Sequence, residues 1–332
     1  MKAMPTQIVV IQLAWSGNWA IRVAPRVDDR SVWNRPEPSH VFLQAGPVAP
    51  SPMRVIDPHE WIETPAVHFG STHGDLDAMM LQLHEHQRRS VILPPPPGKA
   101  NLISYNHCGD DIELNTVEDN LLKHIDAAAE VGADIFTIDA CWNGQADQPW
   151  SLTTGDWYTA GRLPNGLEPI FELVRSKGML CGLWCWIEAG HKESNLIKAH
   201  PDWLIQQDGI FLNNQLDLSK PEVAEWVENE IARLVERYRL DLFRIDYNES
   251  PGEGGYNLRH GLVENNLWRY YENWYGILER IQKRFPNLIL KTARAAADEP
   301  IWGCFHERII PGSAITTFNH EPRERFRRCF TP

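Results

Sequence analysis

Residues 241–247 read Asp-Leu-Phe-Arg-Ile-Asp-Tyr, an apolar run broken by one cation, Arg244, and closed by one carboxylate, Asp246. A second run, Asp134–Asp139, ends the same way, with Ile135, Phe136, Thr137 and Ile138 leading to Asp139. Both are short, β-branched or aromatic, and bounded by polar residues, which reads as buried strands. Working outward, Leu102–Asn106 and Met179–Trp184 give two more strands, and Asn287–Leu290 begins a fifth. Helical spacing fills the intervals over Thr116–Val131, Leu167–Lys177, Glu222–Arg237 and Asn265–Arg284. Leu121, Leu122, Ile125 and Ala128 share a face of the first, which Thr116 and Asp119 open as a variant capping box. Strands alternating with helices imply a parallel sheet with right-handed crossovers. No Gly-rich phosphate loop follows the first strand, so an α/β fold with a (β/α)8 TIM-type barrel is preferred over an open nucleotide-binding sheet. At this spacing eight units run past position 332, so residues 101–290 are expected to hold the first half of a barrel, a partial one.

Residues 1–93 are expected to be β, as the C-terminal part of a β-sandwich domain. Gln7–Ala14, Trp19–Ala24 and His40–Ala45 are short strand-like runs, and helical spacing occurs only over Asp75–Arg89. Pro94–Gly98 is a stiff, proline-rich stretch, and residues 94–100 are read as the linker. The chain is 43% hydrophobic and 23% charged, enough to bury a core and inconsistent with disorder. No apolar run is long enough to span a membrane. A net charge of −12 argues against a nucleic-acid partner held by phosphate contacts. The opening residues carry no signal-peptide pattern, and six scattered cysteines suit free thiols in a reducing compartment, so a cytoplasmic location is expected. Fourteen tryptophans supply flat indole faces of the kind that stack on sugar rings, although most tryptophans pack cores.

In barrel enzymes the chemistry sits at the C-terminal ends of the strands. Those ends carry Tyr105-Asn106, Asp139, Trp184 and Asp246. A carboxylate after a buried strand is costly to desolvate unless it is paired or used. One such Asp reads equally as a loop cap; two, with Trp142, Trp157, Trp184 and Trp186 close in sequence, point to a sugar site. Arg244, two residues before Asp246, faces the same side of its strand, and a cation there favours the ionised carboxylate a nucleophile requires. An unrelated barrel enzyme using Asp139 and Asp246 as metal ligands is the competing reading. His84-Glu85-His86 at i, i+2 spacing does not converge on a metal, and Cys181-x-x-x-Cys185 reads as core thiols. Glu249–Gly255 is glycine-rich without the lysine of a phosphate loop and reads as a substrate loop.

The order of motifs resembles family 36 of the glycoside hydrolases, the α-galactosidase or melibiase family. These are WSGNW at 15–19, GDLD at 74–77, YNH at 105–107, IDACW at 138–142, GDW at 155–157 and PNGL at 164–167. GLW at 182–184, HPDW at 200–203, LDLSKPEV at 216–223 and RIDYN at 244–248 follow in the same order. The resemblance implies that Asp246 is the nucleophile and Arg244 its basic partner. Asp139 would bind sugar hydroxyls, and Trp142, Trp184 and Asn248 would complete the substrate site. It implies no metal and no cofactor, a small oligosaccharide substrate ending in an α-galactosyl residue, and a homo-oligomeric intact parent. N-acetylgalactosaminide hydrolysis, galactosyl transfer and a non-catalytic sugar-binding fragment are the alternatives. Three positions depart from the pattern: Ala140 replaces a second acid, Trp186 replaces the first Glu of a Glu-Pro-Glu stretch whose second is Glu188, and Asn213 lies where Arg is common.

After Leu290 the resemblance stops. Residues 291–332 do not match the family's Glu-Asn-Cys-Ala-Ser-Gly-Gly-Gly-Arg, yet back-translation shifted by one base permits that text over Lys291–Glu299. The same shift permits Pro-Trp-Val-Ser-Asp-Tyr over Pro311–Thr316, whose Asp would be the general acid/base. Residues 291–332 are therefore expected to be an out-of-frame tail. The chain as written is expected to be poorly soluble and to hydrolyse galactosides negligibly.

Overall fold

The computed structural model describes residues 7–26, 40–91, 94–107, 113, 116–246 and 251–293. Its centre is a five-stranded parallel sheet in the order β5 (Ser104–Asn106), β6 (Ile135–Ile138), β7 (Leu180–Cys185), β10 (Leu242–Asp246) and β13 (Ile289–Ala293). Each strand pairs with the next one of the sheet in chain order, which is the winding of the first five strands of a (β/α)8 barrel. Four helices make the crossovers: α2 (Glu118–Glu130), α3 (Glu168–Ser176), α5 (Pro221–Tyr238), which the short α4 (Asn195–Ala199) precedes, and α6 (Leu267–Arg284). All four residues of β6 are buried, and so are all residues of β10 except Arg244. Phe136, Ile138, Leu183 and Phe243 share one core with Ile125, Phe171, Ile231 and Ile277 of the helices. Helix limits follow local chemistry: Pro221 opens α5, and Arg239 closes it with a left-handed φ of 50°.

Two antiparallel hairpins that the sequence reading did not anticipate interrupt this pattern. β8 (Leu204–Gln207) pairs with β9 (Ile210–Leu216) after β7, and β11 (Tyr256–Arg259) pairs with β12 (Leu262–Asn265) after β10. Each turns on two residues with positive φ: Asp208 (53°) and Gly209 (77°), then His260 (51°) and Gly261 (81°). That is the type I′ turn, whose twist matches the flanking strands. The expected helix over Asn265–Arg284 therefore starts at Leu267, because Asn265 ends β12. The expected capping box at Thr116 is also replaced. Val117 is the N-cap of α2 without a side-chain bond, and Thr116 is buried elsewhere.

Among residues 7–26 and 40–91 there are two separate antiparallel ladders: β1 (Gln7–Leu13) with β4 (Val67–His73), and β2 (Trp19–Arg26) with β3 (His40–Pro47). Helix α1 (Leu76–Ser90) follows β4, capped by the Asp75 carboxylate, which accepts from Ala78 N at 2.9 Å.

Among the described residues, two stretches anchor this region to the half-barrel by named contacts. Trp15 sits among Trp268, Tyr271 and Tyr275 of α6 with ring centroids 5.5, 5.1 and 6.2 Å away. The next turn adds hydrogen bonds from Ser16 N to Tyr275 Oη (2.8 Å) and from Asn18 Nδ2 to Gly252 O (2.6 Å). A Cβ on Gly17 would lie 2.4 Å from the Tyr271 ring, so only glycine fits between the two aromatics. Further along, residues 52–60 cross α6 and the second hairpin as a strap. Arg54 pairs with Glu60 (2.8 Å) and Glu272, and Arg269 pairs with Glu264 (2.6 Å). Glu264 also accepts from Val55 N at 2.8 Å.

Candidate active site

The strand ends converge. β6 delivers Asp139, β7 delivers Trp184, and β10 delivers Arg244 and Asp246, while Asn106 ends β5. Arg244 and Asp246 share a face because strand side chains alternate. Arg244 Nη1 donates to Asp139 Oδ2 at 2.5 Å, and its Nη2 lies 3.6 Å from Asp246 Oδ2. Asn106 Nδ2 donates to the same Asp139 oxygen at 2.5 Å, while Asp139 Oδ1 accepts from Ala140 N at 2.7 Å. One guanidinium thus bridges two buried carboxylates on strands that flank β7. Lys291 is aligned with Arg244 on β13, and burial together with the Arg244 cation holds its ammonium below the usual lysine range.

Trp184 Nε1 donates to Asp246 Oδ2 at 2.8 Å. Trp142 Nε1 in turn donates to the Trp184 carbonyl at 2.9 Å. Both rings are almost wholly buried, Trp184 at 1% exposure and Trp142 at 0%, so neither presents a flat face to solvent in this conformation. Trp150 and Trp157 stand edge-on to Trp184 at 5.4 and 6.3 Å. The loop leaving Asp139 is tight. Cys141 adopts φ 77°, unusual for a residue other than glycine, and its carbonyl accepts from Gly144 N.

Two buried groups of the surroundings carried no role in the sequence reading. Buried His107 contacts Thr116 Oγ1 at 2.9 Å through Nε2 and Asp139 N at 3.2 Å through Nδ1. Thr116 gives its own proton to Ala140 O, so His107 Nε2 is the donor and Nδ1 the acceptor. Burial pushes this imidazole down to about 4, and it holds the Asp139 backbone as a neutral ring. Glu188, beyond β7, is buried and pushed up to about 7 by desolvation. Tyr270 donates to it at 2.6 Å and itself accepts from Gln215 Nε2 at 2.5 Å. His107 was legible only as the last residue of the YNH motif, and Glu188 only as a matched motif position; Asn106 stood at its strand's end with no role assigned.

Asn248 lies outside the described residues, as do Glu249 and Ser250 of the glycine-rich loop. Among the described residues no three His, Cys, Asp or Glu side chains converge as metal ligands. Glu85 of the His-Glu-His stretch pairs with Arg88 and Arg89, and His86 meets His68 at 2.8 Å. Cys141, Cys181 and Cys185 are buried, Cys181 and Cys185 as free thiols, and desolvation pushes the Cys181 thiol up to about 12. No helix among the described residues is long and apolar enough to cross a membrane.

Residues 62–297 match the family model described as Melibiase. The chain is 26% identical to an α-galactosidase of Escherichia coli over 289 residues, covering 85% of this chain and 38% of that protein. It is 25% identical to the α-galactosidase AgaA of Geobacillus stearothermophilus over 248 residues, covering 72% of this chain and 33% of AgaA. Among solved structures, the α-galactosidase of Lactobacillus brevis superposes with a TM-score of 0.75 at 21% identity, over 88% of this chain and 39% of that one. A variant of the GH36 enzyme AgaA in complex with stachyose superposes at 0.76, again at 21% identity, over 87% of this chain and 40% of that one. These likenesses show the fold, a half-barrel within a larger one. The chain spans about two fifths of the length of these relatives.

Proposed function

Because the chain belongs to the Melibiase family, we propose that it carries the nucleophile half of a retaining glycosidase acting on terminal α-galactosides of the melibiose and raffinose type. The observation that supports this most is Asp246, ending its strand with an indole N–H on one carboxylate oxygen and the Arg244 guanidinium beside it. In the reaction, Asp246 attacks the anomeric carbon as the bond to the leaving oxygen breaks, giving a glycosyl ester. Water then cleaves that ester with net retention. Asp139 takes hydroxyls of the sugar and holds Arg244. Trp142, Trp184 and Asn248 shape the sugar pocket. Neither a metal nor an organic cofactor enters these steps.

The first step needs an acid to protonate a sugar leaving group, about 5–5.5 Å from the nucleophile. By the resemblance this acid comes from the text beyond Leu290 read in the shifted frame. As written, the chain therefore turns over natural galactosides negligibly, yet reacts with a substrate whose leaving group needs no proton. The intact parent is a homo-oligomer. The buried free thiols of Cys181 and Cys185 support a reducing, cytoplasmic setting. Residues 1–93 act as the end of a β-sandwich and 94–100 as its linker, and the frame is lost after Leu290.

The test uses an α-galactosyl fluoride bearing a second fluorine on the ring carbon next to the ring oxygen. Fluoride leaves without acid help, and the second fluorine slows hydrolysis of the ester. Mass spectrometry of the digested full chain should place one glycosyl group on the peptide holding Asp246, and D246N should carry none. A label elsewhere, or none at all, overturns the reading.

A further inference from the structure

We propose that Trp184 is a positioning residue for Asp246, acting through its indole N–H, and is not a stacking platform for the sugar; this rests on the reading of Asp246 as nucleophile. A carboxylate free to turn about its Cβ–Cγ bond exchanges its two oxygens and presents either. Here Oδ2 carries an indole donor. Oδ2 of Asp246 accepts the Trp184 N–H at 2.8 Å, and the nearer Arg244 nitrogen approaches that same oxygen at 3.6 Å. The indole N–H on Oδ2, with the Arg244 cation beside the same oxygen, restrains the plane of the carboxylate. Preorganisation of this kind is an orientation effect, felt in the rate of bond formation more than in ligand affinity.

The donor is itself held through its backbone, and aromatic rings pack around it. Its backbone carbonyl accepts the Trp142 N–H at 2.9 Å, and Trp150 and Trp157 meet its ring edge-on. At 1% exposure, Trp184 has no face left for a pyranose to cover. Trp142 belongs to the same device as the residue that fixes Trp184.

The step to be timed is the attack of the Asp246 carboxylate on the anomeric carbon of the difluorinated galactosyl fluoride. A C–O bond forms, the C–F bond breaks, and fluoride departs with the electron pair. The full chain is compared with W184F, which keeps a flat ring and removes the N–H. W150F removes an edge contact to Trp184 and leaves the N–H in place. Saturation kinetics of labelling separate the maximal rate from the half-saturating concentration, and the final labelled fraction counts the folded sites. Losing a hydrogen bond to a charged group should lower the maximal rate of W184F roughly 10- to 100-fold. Its half-saturating concentration should stay within about twofold, and W150F should label at nearly the parent rate. A stacking role predicts the reverse for W184F, a raised half-saturating concentration at an unchanged maximal rate, and overturns the proposal. Equal loss in W150F and W184F assigns the effect to packing and also overturns it. Absence of label on the parent chain overturns the reading of Asp246 itself, and this proposal with it.

Discussion

β6 and β4 are built from similar residues and meet opposite fates. In β6, Ile135, Phe136, Thr137 and Ile138 are all buried, whereas in β4 only Thr72 is, and Val67 and Phe69 face outward at 47% and 65% exposure. The difference is what covers them. β6 lies inside a five-stranded sheet with helices crossing over it, while β4 belongs to a two-stranded ladder. Two strands alone are marginal in water, and three or more with a covered face are needed for independent stability. The half-barrel therefore carries the stability. The N-terminal ladders are held in place by the Trp15–Asn18 corner and the strap over residues 52–60.

The largest effect that tests this contrast is a pair of truncations. Phe243→Ala in β10 should cost about 3–5 kcal/mol in denaturant melts, and Phe69→Ala in β4 should stay within about 0.5 kcal/mol. A comparable loss at Phe69 breaks the contrast.

The next largest concerns two buried groups of the half-barrel with opposing pH signs. Glu188 is raised from 4.5 to about 7, so between those values the folded chain holds a proton the unfolded chain lacks, and stability falls as pH rises. His107 is lowered from 6.5 to about 4, so there the unfolded chain holds the extra proton and stability rises with pH. The two slopes offset each other from about pH 4.5 to 6.5. Glu188→Gln should remove a term of up to roughly 3 kcal/mol and leave stability climbing through that window. Melts of the variant that follow the parent's pH dependence would count against the assignment.

Gly17→Ala is a smaller wedge, driven into the corner where the Tyr271 ring leaves no room. It should cost about 1–3 kcal/mol. Hydrogen exchange should quicken in β1 and β4 and stay unchanged in β6 and β7, and uniform quickening would merge the two regions. Smallest is Asp57→Asn, which removes an ion pair to Arg259 at the strap's surface. Screening by salt leaves such exposed pairs little weight, so the melting midpoint should not move measurably at physiological ionic strength.

The sheet was legible because DIFTID and DLFRIDY state their strands twice over, by composition and by the carboxylate that ends each. Arg244, Asp139 and Asp246 followed from period-two alternation and strand-end chemistry, and the structure brings all three within one guanidinium's reach. The hairpins were signalled locally by Asp208-Gly209 and His260-Gly261 and overlooked, because the flanking strands lack clean alternation: Leu262 and Val263 are both exposed. Thr116 misled for a different reason. Its hydroxyl suits a helix cap, but the tertiary partners His107 and Ala140 outcompete the helix terminus for it. Nothing in the sequence signalled that the indole of Trp184 would point at Asp246, since alternation gives a face and not a partner.

The ion pair between Arg244 and Asp139 joins residues 105 apart in the chain, across a strand that separates theirs. Closing so long a loop has an entropic cost that falls before the contact rewards it, and contacts of this span form late in folding. During synthesis both charges are solvated strangers until β10 docks beside β7. The pair is thus a clock on the assembly line, and Asp246 acquires its surroundings only when most of the sheet is in place.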